Sequence, residues 1–236
     1  MPLLAGEALY FGDGHEIVAV EARTGKERWR HAGVPDTLAS YAPAISGDTV
    51  LAGPGDGRLY ALSAADGEVL WRQDRSGEWQ YLRQLHVHEG ILVAGSYKEK
   101  LFGVAIADGR ALWEFNAGNF INSHHVADGS AYLWSPTGFV YAIDATSGKV
   151  RWRHETTDYD SGAGNWASLM AELVVADGKL VALDMANIMH VLAVDDGAEL
   201  ARASVGEPIR HAVLPLPGAG FVFPSMRGEL LLSDPP

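Results

Sequence analysis

The sequence contains no cysteine, and its basic residues are far outnumbered by acidic ones. The missing thiols exclude disulfides, thiolate metal sites and cysteine nucleophiles. The 18 Lys and Arg residues against 30 Asp and Glu residues give a net charge of −12. Such a charge opposes binding to a nucleic-acid backbone or an anionic membrane surface. The expected partners are therefore a protein or a small acidic ligand that finds a local basic patch.

The sequence also lacks long hydrophobic runs and an export signal. No segment approaches the roughly 20 apolar residues that a membrane-spanning helix needs. Residues 1–7 lack the basic start and the apolar stretch of a signal peptide. We therefore expect a soluble protein without membrane insertion. As written it would be cytoplasmic, and it would be periplasmic or extracellular if a leader had been removed.

What the sequence has instead is one motif repeated at a near-constant spacing. In four similar segments a glycine is followed four residues later by a tryptophan, and a fifth copy at Gly197 has lost the tryptophan. Intervals of 42, 42, 39 and 49 residues separate the five glycines. A period of about 40 residues is the signature of a repeat architecture. The intact motifs are Gly25–Trp29, Gly67–Trp71, Gly109–Trp113 and Gly148–Trp152.

Each repeat contains four short segments with the composition of β-strands. In the second copy they are residues 41–45, 49–53, 58–62 and 68–73, separated by Gly/Asp turns. Asp66–Gly67 is typical of a two-residue hairpin turn, because the glycine accepts a positive φ. The third position of the third strand is mostly small, which we interpret as a place where a neighbouring sheet approaches closely. These positions are Ala19, Ala61, Gly103, Ala142 and Val191.

Four-stranded sheets of about 40 residues that are apolar on both faces pack radially as the blades of a β-propeller. We predict an all-β, single-domain propeller of about six four-stranded antiparallel blades, the last one incomplete. The blades fall roughly at residues 1–33, 38–76, 80–117, 119–156, 166–205 and 207–236. An incomplete last blade has three explanations: it closes the ring by packing alone, it exposes an edge that pairs with a partner, or the sequence is truncated. Structural tryptophans are expected between neighbouring blades at Trp29, Trp71, Trp113 and Trp152.

The pattern of strand, Asp/Ser-Gly, three residues and Trp, as in residues 59–71, resembles the pyrroloquinoline-quinone-like (PQQ-like, quinoprotein-type) propeller repeat. The resemblance spans residues 1 to about 232 and implies the propeller fold. It implies three kinds of relatives, which are quinone-dependent dehydrogenases, sensor propellers on bacterial kinases and non-catalytic scaffolds. The dehydrogenases resemble one another in a vicinal cysteine pair and a Ca²⁺ ligand set. This chain has no cysteine and no motif that matches the Ca²⁺ ligands.

Polar residues crowd the segments that enter the innermost strands, which in a propeller line the mouth of the channel. Arginines and histidines gathered there would form an electropositive pocket for a carboxylate or a phosphate. Alternatively, these groups hydrogen-bond to one another and to channel water. By register, Arg83 is equivalent to Asn122, and His86 to His125. The candidate ligand-binding residues are Arg83, Asn122, His124, His125, Glu172, Arg210 and His211.

A metal site can also be assembled from His86, His88 and His125, since His86 and His88 share one face of a strand. We recognise no catalytic motif and assign no catalytic residue. The sequence therefore predicts a non-catalytic propeller that binds a protein partner or a small acidic ligand. The alternative is a PQQ-binding sensor or a small quinone-dependent oxidoreductase, with PQQ as cofactor. No specific residue points to PQQ, so the cofactor and the metal stay open.

Overall fold

The structure is a computed structural model of the chain. The residues that it describes are 2–39, 41–75, 83–95, 99–118, 121, 123–135, 137–156, 173–184, 186–206, 213–216, 220–225 and 227–233. Their strands form six antiparallel sheets, and each sheet is built from strands that are consecutive in the chain. The predicted all-β class is thereby confirmed. Among the described residues, no helix has the length and apolar character needed to cross a membrane.

The chain divides into two compact units, residues 1–116 with 146–148 and residues 117–145 with 149–236. We describe each unit by itself, and the prediction of a single domain stays a prediction.

The first unit contains sheets 1, 2 and 3, each with four strands. Sheet 1 consists of β1 (Leu3–Ala5), β2 (Ala8–Asp13), β3 (Glu16–Glu21) and β4 (Glu27–Ala32). Sheet 2 consists of β5 (Ala44–Ser46), β6 (Thr49–Ala52), β7 (Arg58–Ser63) and β8 (Val69–Asp74). Sheet 3 consists of β9 (Arg83–His88), β10 (Ile91–Gly95), β11 (Lys100–Ala105) and β12 (Ala111–Asn116).

The second unit contains sheets 4, 5 and 6, and sheet 6 has three strands among the described residues. Sheet 4 consists of β13 (His124–Ala127), β14 (Ser130–Ser135), β15 (Phe139–Asp144) and β16 (Val150–Glu155). Sheet 5 consists of β17 (Val174–Ala176), β18 (Lys179–Leu183), β19 (Ile188–Ala193) and β20 (Glu199–Ser204). Sheet 6 consists of β21 (Leu214–Leu216), β22 (Gly220–Pro224) and β23 (Leu230–Ser233).

The cores of both units lie between successive sheets, because alternation along each strand gives a sheet two apolar faces. In sheet 1, Tyr10 and Trp29 lie on one face and pack against Val50, Tyr60 and Leu62 of sheet 2. We call the face that meets the following sheet the forward face, and the opposite one the rear face. Sheets 2 and 3, 4 and 5, and 5 and 6 pack in the same manner.

The tryptophan of one repeat lies against the glycine of the next. Trp29 donates its indole N–H to the carbonyl of Ala64 at 2.9 Å, and its ring covers Gly67. Gly67 has a φ of 76°, and a Cβ there would collide with the indole, so glycine is required at this turn. The same ring-to-glycine contact recurs in Trp71–Gly109, Trp113–Gly148 and Trp152–Gly197.

Two details of the sequence-based interpretation are wrong. The hairpin at Gly67 is not a two-residue turn, because β7 ends at Ser63 and β8 begins at Val69. The small residue of the third strand is explained by the tryptophan of its own sheet rather than by a neighbouring sheet. Gly103 pairs with Trp113 across β11 and β12, and a Cβ on Gly103 would overlap that indole.

Candidate functional sites

The forward face of sheet 6 is an exposed apolar surface. Register places Leu214, Val222 and Leu232 in one row, and Pro224 beside Leu230. Leu230 is 76% exposed, Leu232 63% and Leu214 55%. The rear face of the same sheet packs against sheet 5. We call these five residues the sheet 6 patch.

Equivalent positions are buried where a following sheet covers them. In sheet 5, Val181 and Val191 occupy the row that corresponds to Val222 and Leu232, and both are 0% exposed. They pack against Phe221 on the rear face of sheet 6. The sheet 6 patch therefore has the composition of an inter-sheet face, yet solvent reaches it.

Other exposed apolar side chains lie on the fourth strands of sheets 2 to 5, and also at Leu4 on β1, at Val34 and Leu38 after β4, and at Leu216 on β21. They occur one or two to a sheet, which is common on protein surfaces and needs no functional explanation. Leu70 and Leu200 are 55% and 54% exposed. These two leucines match the sheet 6 patch in chemistry and exposure, so they serve below as controls.

The predicted channel-mouth site falls mostly outside the described residues. Asn122, Glu172, Arg210 and His211 all lie there, as does the side chain of Arg83, although its backbone begins β9.

His124 and His125 are described and are consecutive on β13. His124 is 1% exposed and pairs with Leu133, while His125 is half-buried and pairs with Tyr132. Consecutive strand residues point to opposite faces of a sheet. The structure therefore does not bring these two side chains onto one face, and the ligand site stays a prediction.

The predicted metal candidates lie on two strands. His86 and His88 are two residues apart on β9 and pair with Val93 and Ile91. Such spacing puts both imidazoles on one face, and His88 Nε2 is 3.9 Å from Glu89 Oε2. The third candidate, His125, belongs to the second unit. A metal at these residues stays a prediction.

A different cluster of histidines and carboxylates lies between sheets 4 and 5. His190 on β19 is 0% exposed, with Nδ1 2.7 Å from Glu199 Oε1 and Nε2 3.2 Å from Asp184 Oδ2. His154 on β16 meets the His190 ring edge-on at a centroid distance of 5.6 Å. Its Nε2 is 3.8 Å from Glu199 Oε1. We call His154, Asp184, His190 and Glu199 the histidine cluster.

The two histidines of this cluster differ in electrostatics. Burial lowers the pKa of His190, but hydrogen bonds to Asp184 and Glu199 outweigh burial and raise the pKa above its ordinary value. Burial lowers the pKa of His154, and the opposing charge of Glu199 does not restore it. His190 is therefore the more readily protonated of the pair.

Asp184 is fixed by the backbone around it. Its side chain is 0% exposed, and Oδ1 accepts the backbone N–H groups of Ala186 and Ile188 at 2.9 Å each. The carboxylate therefore caps the loop between β18 and β19 and orients His190 at the same time.

Sequence reasoning missed this cluster, although alignment of the repeats contains a signal for it. His154 stands two residues after Trp152, as His31 does after Trp29. Register confirms that these positions are equivalent, since His31 pairs with Ile17 and His154 with Val140. In both repeats the next sheet presents a ring to the histidine, namely Tyr60 to His31 and His190 to His154.

Six successive antiparallel sheets, packed face to face within each unit, define a protein of the β-propeller class. A family model described as "Outer membrane protein assembly factor BamB" matches residues 1–85 and 79–215. The chain belongs to this family of PQQ-like repeat proteins.

Individual relatives agree with this assignment. The chain is 32% identical over 83 residues to outer membrane protein assembly factor BamB of Marinobacter adhaerens, covering 35% of this chain and 20% of that protein. It is 28% identical over 158 residues to quinohemoprotein alcohol dehydrogenase ADH IIB of Pseudomonas putida, covering 61% and 18%. The matches thus span a fifth or less of these two relatives. The crystal structure of BamB from Moraxella catarrhalis is similar with a TM-score of 0.70 at 21% identity, covering 97% of this chain and 70% of that one.

Proposed function

We propose that this chain is a non-catalytic scaffold that binds a protein partner in the assembly of outer-membrane proteins, and that the sheet 6 patch contacts this partner. The name of the family supports the kind of process. The observation that carries the proposal is the exposure of Leu230 and Leu232 on a face that is otherwise built like a core.

The chemistry of the patch favours a protein occupant with an apolar surface. The apolar side chains of these three adjoining strands gain free energy when water is removed from them, at roughly 25 cal/mol per Å². A contiguous apolar surface on a soluble protein marks an interaction site more often than scattered leucines do. Buried valines at the equivalent positions of sheet 5 show that this arrangement of residues accepts a packed sheet. A partner that presents a β-sheet face with apolar side chains fits these requirements best.

The overall charge of the chain adds a condition on the partner. With a net charge of −12, the protein attracts a surface whose apolar centre has a basic rim, because long-range attraction raises the rate of association. We therefore expect binding to slow as the salt concentration rises, while the apolar contact keeps the bound state together.

The test compares the sheet 6 patch with matched leucines elsewhere. A photo-crosslinking amino acid is placed at Leu232, and separately at Leu70, in the organism from which the chain comes. We expect one dominant heterologous crosslink from position 232 and none of that mass from position 70. The double substitution Leu230→Lys with Leu232→Lys should weaken the purified complex by roughly tenfold or more, because charge at the centre of an interface removes its main contacts.

The matched control is Leu70→Lys with Leu200→Lys, which changes two equally exposed leucines outside the patch. This variant should bind the partner like the unmodified chain. Equal crosslinking from both positions, or equal affinity of the two double variants, would refute the proposal. So would sedimentation showing that the patch joins two copies of this chain, because the patch would then be a self-interface.

A further inference from the structure

We propose that His154, His190 and Glu199 form a binding site for a divalent transition-metal ion, with Zn²⁺ as the best match, which ties sheet 4 to sheet 5. His154 comes from β16, and the other two ligands come from β19 and β20. The metal would therefore join the last strand of one sheet to the following sheet. Neither the family nor the relatives named above assign a metal to these residues.

The positions of the donor atoms are the first argument. The three residues each offer one ligand atom, and all three atoms lie within 4.8 Å of one another. Glu199 Oε1 is 2.7 Å from His190 Nδ1 and 3.8 Å from His154 Nε2. In a tetrahedral zinc site with bonds of about 2.0–2.2 Å, ligand atoms stand roughly 3.3 Å apart. Shifts of about half an ångström in the Glu199 side chain would satisfy these two distances. The two imidazole nitrogens, which lie within 4.8 Å of each other, would also have to approach.

The groups behind the ligands are the second argument. A metal-bound histidine usually donates its other ring N–H to a carboxylate or a backbone carbonyl, which fixes its orientation. His190 turns Nε2 towards the buried carboxylate of Asp184 at 3.2 Å. The His154 ring donates a hydrogen bond to the backbone of Gly197, which opposes the lowering of its pKa by burial and helps to hold the ring in place. His190 therefore has the outer support that is typical of a metal ligand, and the ring of His154 is held by the backbone of the next repeat.

The kind of metal follows from the ligands. Two imidazole nitrogens and one carboxylate suit Zn²⁺ and its neighbours, whereas Ca²⁺ and Mg²⁺ prefer oxygen alone. In binding, the metal would replace the proton shared between His190 Nδ1 and Glu199 Oε1, and that proton would pass to solvent.

Access and local charge allow this exchange. The side chains of His154 and Glu199 are 19% and 28% exposed, so an ion can enter and water can complete the coordination. Arg202 pairs with His190 in the register. Because Arg202 is exposed, solvent screens the repulsion between its charge and a metal ion.

The same position in other repeats offers controls. Gln73 in sheet 2 is equivalent to His154, and its Nε2 donates to the Gly109 carbonyl at 2.6 Å. Glutamine therefore fits this position without disturbing the contact between sheets. His31 in sheet 1 is also equivalent, and it faces the Tyr60 ring rather than a second histidine.

The experiment titrates Zn²⁺ into the chelator-treated chain and measures the heat of binding and the melting temperature. We expect one ion per chain and a rise in Tm, because a ligand that binds only the folded state stabilises it. His154→Gln and, separately, Glu199→Gln should weaken this binding by more than tenfold, and Asp184→Asn by roughly tenfold. His31→Gln should leave the affinity and the Tm shift unchanged, and Mg²⁺ should cause no shift.

Each alternative result overturns the proposal. No zinc-dependent rise in Tm would show that the cluster is only a hydrogen-bonded network. A rise that persists in His154→Gln and in Glu199→Gln would place the ion at other histidines, such as His86 and His88. Should one of these variants fail to fold, the other still decides, because Glu199 is partly exposed and glutamine keeps its shape.

Discussion

The contact between sheets 1 and 2 and the contact between sheets 4 and 5 share a scaffold but differ in chemistry. In both, a tryptophan covers the glycine of the next repeat and packs beside a tyrosine of its own sheet, Tyr10 at 5.8 Å from Trp29 and Tyr132 at 5.9 Å from Trp152. Two residues further on, each strand places a histidine against the next sheet. The repeat therefore determines where side chains meet, and substitution at the meeting points determines what they can do.

The two contacts differ first at one position of the third strand. In sheet 2 this position is Tyr60, whose hydroxyl donates to Asp56 at 3.2 Å. In sheet 5 it is His190, which lies between two carboxylates. A neutral aromatic contact has thus become a polar cluster, together with a second change on the fourth strand, where Glu199 stands at the position of Val69. This is the pattern expected when a site is added to an existing fold.

The largest effect should come from removing the tryptophan that is common to both contacts. Trp29→Ala and Trp152→Ala should each lower the free energy of unfolding by about 3–5 kcal/mol, because a large buried ring leaves a cavity that neighbours fill only partly. Each variant also loses the hydrogen bond from the indole N–H to a carbonyl of the next repeat. Urea denaturation of the two variants measures the cost.

Leu70→Ala on the exposed surface is the control and should cost little. The two tryptophan variants should agree to within about 1 kcal/mol. If only one of the two substitutions were costly, Trp29 and Trp152 would not have equivalent roles in the two contacts.

A smaller effect should separate the two contacts. Asp184→Asn removes a negative charge beside a buried imidazole, and hydrogen bonds to charged groups contribute about 1.5–3 kcal/mol. Asp56→Asn removes a charge beside Tyr60 and Arg58. The Asp56 side chain is only 1% exposed, but Arg58 is 24% exposed and keeps Asp74 as a partner, so a smaller cost of about 1 kcal/mol is expected. The asparagine oxygen still caps the loop in both variants. Denaturation midpoints of the two variants, measured without added metal, test the difference.

Equal costs for Asp184→Asn and Asp56→Asn would mean that these aspartates matter as loop caps alone. In that case the charge on the carboxylate would contribute nothing to the contact between sheets 4 and 5. The two contacts would then differ in the shape of their side chains and not in their electrostatics.

Much of the fold could be predicted from the sequence, because each repeat carries its own strand pattern and its own glycine and tryptophan. The histidine cluster could not be seen in the same way, since its members belong to two different repeats. His154 and His190 meet only after two sheets stack, and stacking is not a property of either segment alone.

The channel-mouth prediction also depends on the placement of side chains in three dimensions. It includes His124 and His125 because polar residues crowd the segments that enter the inner strands. Alternation along β13 places these two neighbours on opposite faces. Most of the other candidates lie outside the described residues, so the site stays a prediction. In this chain, equivalent positions in different repeats indicate which side chains meet better than neighbouring positions in the sequence do.

The smallest effect concerns the pH dependence of the first contact. Burial lowers the pKa of His31 below 6.5, while the ring faces Tyr60 at 5.2 Å. Among the described residues, its Nε2 has no hydrogen-bond partner. The unfolded chain therefore binds the His31 proton more readily than the folded chain does, so stability is complete above pH 6.5 and decreases as the pH falls towards the lower folded-state pKa. Unfolding midpoints at pH 7.5 and pH 5.5 should differ less in His31→Gln than in the unmodified chain. An unchanged difference would show that His31 is not among the groups that destabilise the protein in acid, and that its burial beside Tyr60 has no energetic counterpart.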